Sequence, residues 1–227
     1  MAQLDTLDAV AAAVWQELGT ATHDKQHAWR SPVLATASND GADARTVILR
    51  EADADARVLR IYTDERAAKV AQLMSHPVGT LVMWSPALGW QVRCRVRLAV
   101  QSQGLAATSR WALVKLSPAA QDYLSPLPPG AALVDEAPGA ALVDEAPGAA
   151  LVDEAPGAAL ADEAPGAALD REPLGVPLAT DSVKRPAPQP HFAIIEAQVL
   201  SIDWLELKRS GHRRAVFDDQ GARWVQP

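Results

Sequence analysis

Ala44-Arg-Thr-Val-Ile-Leu-Arg50 is an aliphatic run bracketed by two guanidinium groups. Its β-branched centre suits a strand. Asn39-Asp40-Gly41 just ahead of it is a hairpin-turn signal, and residues 33–38 before the turn form a second strand-like run. On one regular strand, residues five apart point to opposite faces. Arg45 and Arg50 can therefore share a ligand only if the strand bends. Arg45 is read as the ligand of an anionic group and Arg50 as facing the other side of the same ligand.

The chemistry continues downstream in a fixed order. Tyr62-Thr63-Asp64 precedes a helical stretch over 65–74 that carries Arg66 and Lys69 three apart, on one face. Thr63 or Asp64 is the N-cap of that helix. Its free N–H groups and dipole favour an anion. Trp90-Gln91-Val92-Arg93 then opens a long strand over 90–101. Further strands are predicted at 57–63, 79–84, 192–203, 213–218 and 223–226. Leu4, Leu7, Val10, Ala11, Val14 and Leu18 recur at helical spacing, and Gly19 ends that pattern. Residues 106–124 also read as helical. Many strands with few helices predict a mainly β fold with flanking helices, arranged as a barrel.

Composition narrows the function classes. The 227 residues carry a net charge of -7, but that figure misleads. Pro-Gly-Ala-Ala-Leu-Val-Asp-Glu-Ala recurs every nine residues from Pro129, Pro138, Pro147 and Pro156, with Ala161 in place of valine in the fourth copy. These copies hold eight of the 28 acids and no base, so the remainder has 20 acids against 21 Lys and Arg. A near-neutral remainder gives no electrostatic case for nucleic acid. Pro-Gly at every ninth residue interrupts helix and strand alike. The organisation expected is a first part at 1–127, a flexible acidic insert at 128–172, and closing strands at 173–227. The lone Cys94 excludes an internal disulfide. Leu4-Asp5-Thr6-Leu7-Asp8 has no basic leader character, and no apolar run reaches the roughly 20 residues of a membrane span. A cytoplasmic chain without a membrane segment is expected.

Taken together, the order of strand-edge arginine, Tyr-Thr pair, helix-start cation and strand glutamine resembles the pyridoxamine 5'-phosphate oxidase-related family. Trp29-Arg30-Ser31-Pro32, Trp111 with Tyr123, His191-Phe192-Ala193-Ile194-Ile195, and Gly211-His212-Arg213-Arg214 extend the resemblance over most of the chain outside the repeats. It implies a split β-barrel that binds flavin mononucleotide (FMN), as a homodimer with two flavins at the subunit seam. By resemblance, the flavin-contacting positions are Arg45, Thr46, Val47, Leu49, Arg50, Tyr62, Thr63, Lys69 and Gln91. Arg66 is added as a substitute for the family's adjacent Arg-Lys pair, which here reads Ala68-Lys69. Arg213 and Arg214 are added as flavin- or substrate-facing candidates.

One departure bears on substrate. The family's oxidases carry a substrate-phosphate arginine shortly after a tyrosine. Here Tyr123 is followed by Leu124-Ser125-Pro126-Leu127, and no arginine appears until Arg171. No nucleophile–base pairing, metal spacing or phosphate loop stands out, so no catalytic side chain and no metal ligand is assigned. An FMN-dependent oxidoreductase acting on an unidentified small molecule is the first expectation. A non-catalytic flavin-binding module, or a split barrel holding deazaflavin or haem, is the alternative.

Overall fold

The computed structural model describes residues 4–39, 41–133 and 190–227. The expected acidic insert falls outside the described residues from 134 onward, as do 173–189 of the expected closing segment. Apart from Leu133, the described residues belong to one compact unit, Met1–Ala132 with Pro188–Pro227.

The chain opens with α1 (Leu7–His23), capped by Thr6, whose hydroxyl accepts from the Ala9 N–H at 3.2 Å. The sequence expects Gly19 to end this helix, yet it continues to His23. Leu18 and Ala21 are fully buried on either side of the glycine. An interior glycine costs only about 1 kcal/mol, which such packing outweighs. After a 3-10 turn at Ala28–Arg30 come β1 (Val33–Ser38), β2 (Gly41–Thr46), β3 (Leu49–Asp53) and β4 (Val58–Asp64). Then follow α2 (Ala68–Ser75), β5 (Val78–Ser85), β6 (Trp90–Gln101) and α3 (Gly104–Val114). A 3-10 segment at Pro118–Tyr123 precedes β7 (Phe192–Glu206), β8 (Arg213–Asp218) and β9 (Gly221–Val225). The helix expected over 106–124 is thus divided, with Pro118 opening the second piece.

All nine strands form one antiparallel sheet in the order β2-β1-β5-β6-β7-β4-β3, with β8 on β7 and β9 on β8. The decisive feature is the run 44–50, expected as one strand and found as two. β2 ends at Thr46 and β3 starts at Leu49, and these strands lie at opposite edges of the seven-strand path. Only Val47 and Ile48 join them. Thr46 and Leu49 are three residue steps apart, at most about 11 Å, so the sheet must curl until its edges approach each other. No ladder pairs β2 with β3 among the described residues. The result is a split barrel, curled but not closed.

β6 and β7 form its spine. Along β6 the side chains alternate strictly: Trp90, Val92, Cys94, Val96 and Leu98 are buried, while Arg93, Arg95 and Arg97 are exposed. Opposite, a bulge leaves Leu200 unpaired between Val199 and Ser201. The extra residue resets the alternation, so both Val199 and Ile202 face the core. β7 can then pair with β4 through its first half and with β8 through its second. Trp29, Trp90 and Trp204 fill the barrel centre, with Trp90 and Trp204 edge to face at 5.5 Å. Gly79 is required where β5 crosses β1: a Cβ there would lie 2.8 Å from the Ala35 carbonyl oxygen. A smaller apolar cluster of Tyr123, Phe192, Ile194 and Ala107 sits beneath α3. No helix among the described residues is long and apolar enough to cross a membrane.

Candidate functional site

The link between the two edges of the sheet opens onto a recess of about 260 Å³. Its walls are Thr46, Val47, Ile48 and Arg50 from the link, and Tyr62, Thr63 and Asp64 from the end of β4. Lys69 of α2 and the segment holding Asp122, Tyr123 and Pro129 complete it. The local sequence explains this convergence. Val47 is nearly buried and its N–H donates to Pro32, which pins the link to the first strand. Leu49 is fully buried and anchors β3 in the core, leaving its neighbour Arg50 beside the recess.

The helix expected over 65–74 begins later than the sequence suggests. Its N-cap is Ala67, with no side-chain cap, rather than Thr63 or Asp64. Asp64 is used one turn earlier: its Oδ1 accepts from the Arg66 N–H at 2.7 Å, and its carbonyl accepts from the Ala67 N–H. This tight turn delays the helix to Ala68. It also leaves the first N–H groups of α2 without a side chain across them, next to Lys69.

Two cations face the recess without an ion-pair partner among the described residues. Arg50 has a buried Nε with no hydrogen-bond partner among the described residues, and its guanidinium lies 5.7 Å from the Tyr62 ring centroid. Lys69 is half-buried, and burial followed by the nearby charge of Arg45 lowers its pKa. Only Asp64 pulls in the other direction, and Asp64 is paired with Arg66 at 2.7 Å. Burial alone would raise the Asp64 pKa; the hydrogen bonds from Arg66 outweigh it and hold the carboxyl below its ordinary range. With Asp64 paired to Arg66 and Asp122 as the other acid of the lining, Arg50 and Lys69 leave the recess net positive.

Tyr62 is fixed from behind. Its hydroxyl donates to Glu51 at 2.7 Å, and Glu51 is in turn paired with Arg110 and Arg60. The Arg110 hydrogen bonds are the largest influence on Glu51 and hold its pKa low. Burial and then the Glu51 carboxylate push the Tyr62 phenol well above its usual range. Tyr62 is thus a neutral, oriented wall rather than an acid near neutral pH. Sequence reading missed Glu51 and Arg110, which stand 59 positions apart and carry no local signature.

The other predicted residues fall in three places. Arg45 lies on β2 just behind Lys69. Its guanidinium donates to Thr36 and Gln72 at 2.6 Å each and pairs with Asp43. Asp43 is held low by a hydrogen bond from Gln72 and by Arg45. Arg66 does not share a helix face with Lys69, because it precedes the helix. It is engaged by Asp64 and by the carbonyls of Ser125, Pro126 and Leu127, where it fixes the segment after Tyr123. Gln91, Arg213 and Arg214 do not line the recess. Gln91 shares the outward face of β6 with Arg93 and Arg95. Arg214 forks onto Asp203 at 2.9 and 2.7 Å, and Arg213 lies over the Trp224 ring at 4.6 Å. Conversely, Ile48, Asp122, Tyr123 and Pro129 line the recess without having been singled out as ligand contacts. Of these, Tyr123 is brought in by tertiary packing against Phe192 at 5.2 Å.

The donor set suits a phosphorylated, planar ligand. Two unpaired cations and an uncapped helix start meet two aromatic side chains in one recess. An FMN molecule presents a phosphate dianion and a flat ring, so the residues present fit it.

Residues 12–102 match the family model described as pyridoxamine 5'-phosphate oxidase, FMN-binding domain. No curated protein sequence matches the chain. Among solved structures, it is similar to a pyridoxamine 5'-phosphate oxidase-related, FMN-binding protein from Nostoc punctiforme PCC 73102. That match has 20% identity and a TM-score of 0.59, over 95% of this chain and 96% of that one. It is also similar to PhzG from Burkholderia lata 383, solved in complex with tetrahydrophenazine-1-carboxylic acid. There the identity is 15% and the TM-score 0.61, over 100% of this chain and 98% of that one. At such identities the likeness speaks for the fold alone. The matched region contains the Arg45–Arg50 link, Lys69 and Gln91, so this part of the chain is similar to the FMN-binding domain of the pyridoxamine 5'-phosphate oxidase family, and the fold as a whole is similar to that of its solved FMN-binding relative.

Proposed function

We propose that this protein is an FMN-dependent oxidoreductase that works as a homodimer on a small organic molecule. The observation that carries the reading is the pair of cations, Arg50 and Lys69, that face the recess at the link between the two sheet edges without an ion-pair partner among the described residues. In this reading Lys69 and the start of α2 hold the phosphate, with Arg45 supporting the positive field from behind. Thr46, Val47 and Thr63 would line the body of the cofactor, and Tyr62 and Arg50 would lie towards its ring. Bound there, FMN would supply two-electron redox chemistry that no side chain of this chain can supply. The chain's own part is positioning: Glu51 orients Tyr62, Arg66 fixes the 125–127 segment, and the buried Val47 anchors the link.

The dimer is supported by what the recess lacks. Its 260 Å³ falls below the roughly 300–1,000 Å³ usual for small-molecule sites, and the described residues leave it partly open. Gln91, Arg213 and Arg214 lie elsewhere on the same chain, so in this reading they would meet a flavin only as a second copy's contribution. A cytoplasmic setting fits the single, fully buried thiol of Cys94, whose pKa burial pushes up to about 12.

The test is a titration of flavin-free protein with FMN, followed by oxygen-uptake assays of the loaded protein over a panel of amines and alcohols. Quenching of flavin fluorescence with turnover of any panel member supports an oxidoreductase. Binding without turnover of any electron donor would favour a flavin-binding module instead. Absence of quenching at micromolar FMN would remove the flavin reading altogether.

A further inference from the structure

The segment after Tyr123 contributes Pro129 to the wall of the recess, yet it belongs to no strand or helix. Its start is firmly held. Tyr123 is buried against Phe192, and its carbonyl accepts from the His191 N–H at 2.8 Å. Beyond that point the chain is exposed from Pro126 to Gly130. Pro126, Pro128 and Pro129 have no N–H to give. Two of the remaining N–H groups bond inside the segment: Leu127 donates to the Ser125 hydroxyl at 3.3 Å, and Ala131 to the Pro128 carbonyl at 3.1 Å. Among the described residues, a single side chain ties this stretch to the sheet by hydrogen bonds, and it is Arg66. Its guanidinium donates to the carbonyls of Ser125 at 2.9 Å, Pro126 at 3.3 Å and Leu127 at 3.4 Å. The same group donates to the Asp64 carboxylate at 3.1 and 2.7 Å. Asp64 ends β4, is only 5% exposed and itself lines the recess.

Arg66 thus joins a rigid wall of the site to a loosely held one. Only a planar guanidinium with five donors can fork onto a carboxylate and three carbonyls at once. Three prolines within four residues restrict the backbone dihedrals of the segment, so it swings as one piece rather than crumpling. The other walls are harder to open: Thr63 and Asp64 lie in a strand paired along its length with β7, and Val47 is buried. Local opening follows the weakest attachment, which here is one exposed set of hydrogen bonds. We propose that residues 124–130 are a strap over the flavin recess, that Arg66 is the positioning residue that latches it, and that unlatching sets the rate at which FMN enters and leaves. The proposal rests on the flavin reading of the recess. The phosphate contacts assigned to Lys69 and the start of α2 lie outside the strap. Opening it therefore speeds both directions of exchange and leaves their ratio, the affinity, nearly as it was.

The test compares full-length wild type, Arg66→Met and Arg66→Lys. Amide hydrogen exchange of residues 124–131 reads the latch without any flavin. Stopped-flow fluorescence on mixing with FMN, and on diluting the loaded protein, reads association and release. In Arg66→Met the amides of the strap should exchange about tenfold faster or more, since charge-assisted hydrogen bonds are lost. FMN association and release should both quicken by about tenfold or more, with the dissociation constant moving less than about threefold. Arg66→Lys keeps a cation for Asp64 but has fewer donors to share, so it should restore the wild-type rates in part. A merely structural role would weaken affinity without faster association, and that result overturns the proposal. Unchanged strap exchange in Arg66→Met, or in Arg66→Lys where the methionine variant does not fold, removes the latch. Faster strap exchange with unchanged FMN rates removes the gating. Absence of FMN binding by wild type removes the flavin reading and the gating together, whereas normal binding with unaltered rates in the variants removes the gating alone.

Discussion

Replacing Lys69 by methionine should move stability and flavin affinity in opposite directions. The ammonium is half-buried, close to Arg45, and absent from the ion pairs among the described residues. Without a ligand it is a desolvated charge facing a like charge, and a methionine of similar length removes both penalties. A gain on the order of 0.5–1 kcal/mol would raise the melting temperature of the flavin-free protein by about 1–4 °C at this chain length. The bound state tells the opposite story. A charge-assisted contact with the phosphate contributes about 1.5–3 kcal/mol, so its loss should weaken FMN binding roughly 10- to 150-fold. The sign of the pH dependence follows from the same shift. Folding lowers the Lys69 pKa from its ordinary 10.5, so between the two values the unfolded chain holds more protons on this group. The penalty is complete below the folded pKa and fades as pH rises towards 10.5. The stability advantage of the methionine variant should therefore shrink in alkaline buffer, and wild-type FMN affinity should fall there too. Differential scanning fluorimetry and fluorescence titration across pH 7–10 read both quantities. A variant that loses stability while binding FMN as tightly as wild type would refute the reasoning at both ends.

Other perturbations separate the parts of the site. Arg45→Ala should weaken FMN binding less than Lys69→Met does, by about 1 kcal/mol or less, and also lower the melting temperature, because Asp43, Thr36 and Gln72 lose their shared donor; equal affinity and stability would show that Arg45 is idle. Glu51→Gln should cut the loss of stability seen on acidification. The wild-type Glu51 pKa lies below 4.5, so its contribution is present above that value and disappears as pH falls through the folded pKa; identical acid-melting profiles would contradict this. Deleting residues 131–166 should leave FMN affinity almost unchanged, since halving a loop's length alters closure entropy by only about 0.6 kcal/mol; a large drop in melting temperature would mean the repeats support the barrel. Flavin-loaded protein should oxidise pyridoxamine 5'-phosphate weakly, because no arginine follows Tyr123 before Arg171. Robust pyridoxal 5'-phosphate production at micromolar substrate would overturn that expectation.

Local patterns made most strands legible. β1, β6 and β8 run over the residues that alternation and turn signals indicate, because each has one face in the core and one outside. The run 44–50 was the informative failure. Its uninterrupted aliphatic pattern suits one strand, and only the global order of strands forces the break at Val47–Ile48. That break is also what brings Arg50 to the recess. Lys69 was legible from its place near a helix start. The engagement of Arg66 with Asp64 and the 125–127 carbonyls was not, since it depends on where a distant segment lands. The start of α2 was misplaced for a related reason: Asp64 suits a cap by type, but it turns its carboxylate to Arg66 instead.

The central claim is that the recess at Val47–Ile48 recognises a flavin through its phosphate, and comparing FMN with riboflavin tests it most directly. The two ligands share the ring and differ in the phosphate, so their affinity ratio isolates the contact assigned to Lys69 and the start of α2. Calorimetric titration of flavin-free protein should give about one FMN per chain, bound at least roughly tenfold more tightly than riboflavin, with the difference largely lost in Lys69→Met. Equal affinity for the two ligands in wild type, or an unchanged ratio in the variant, would contradict the account.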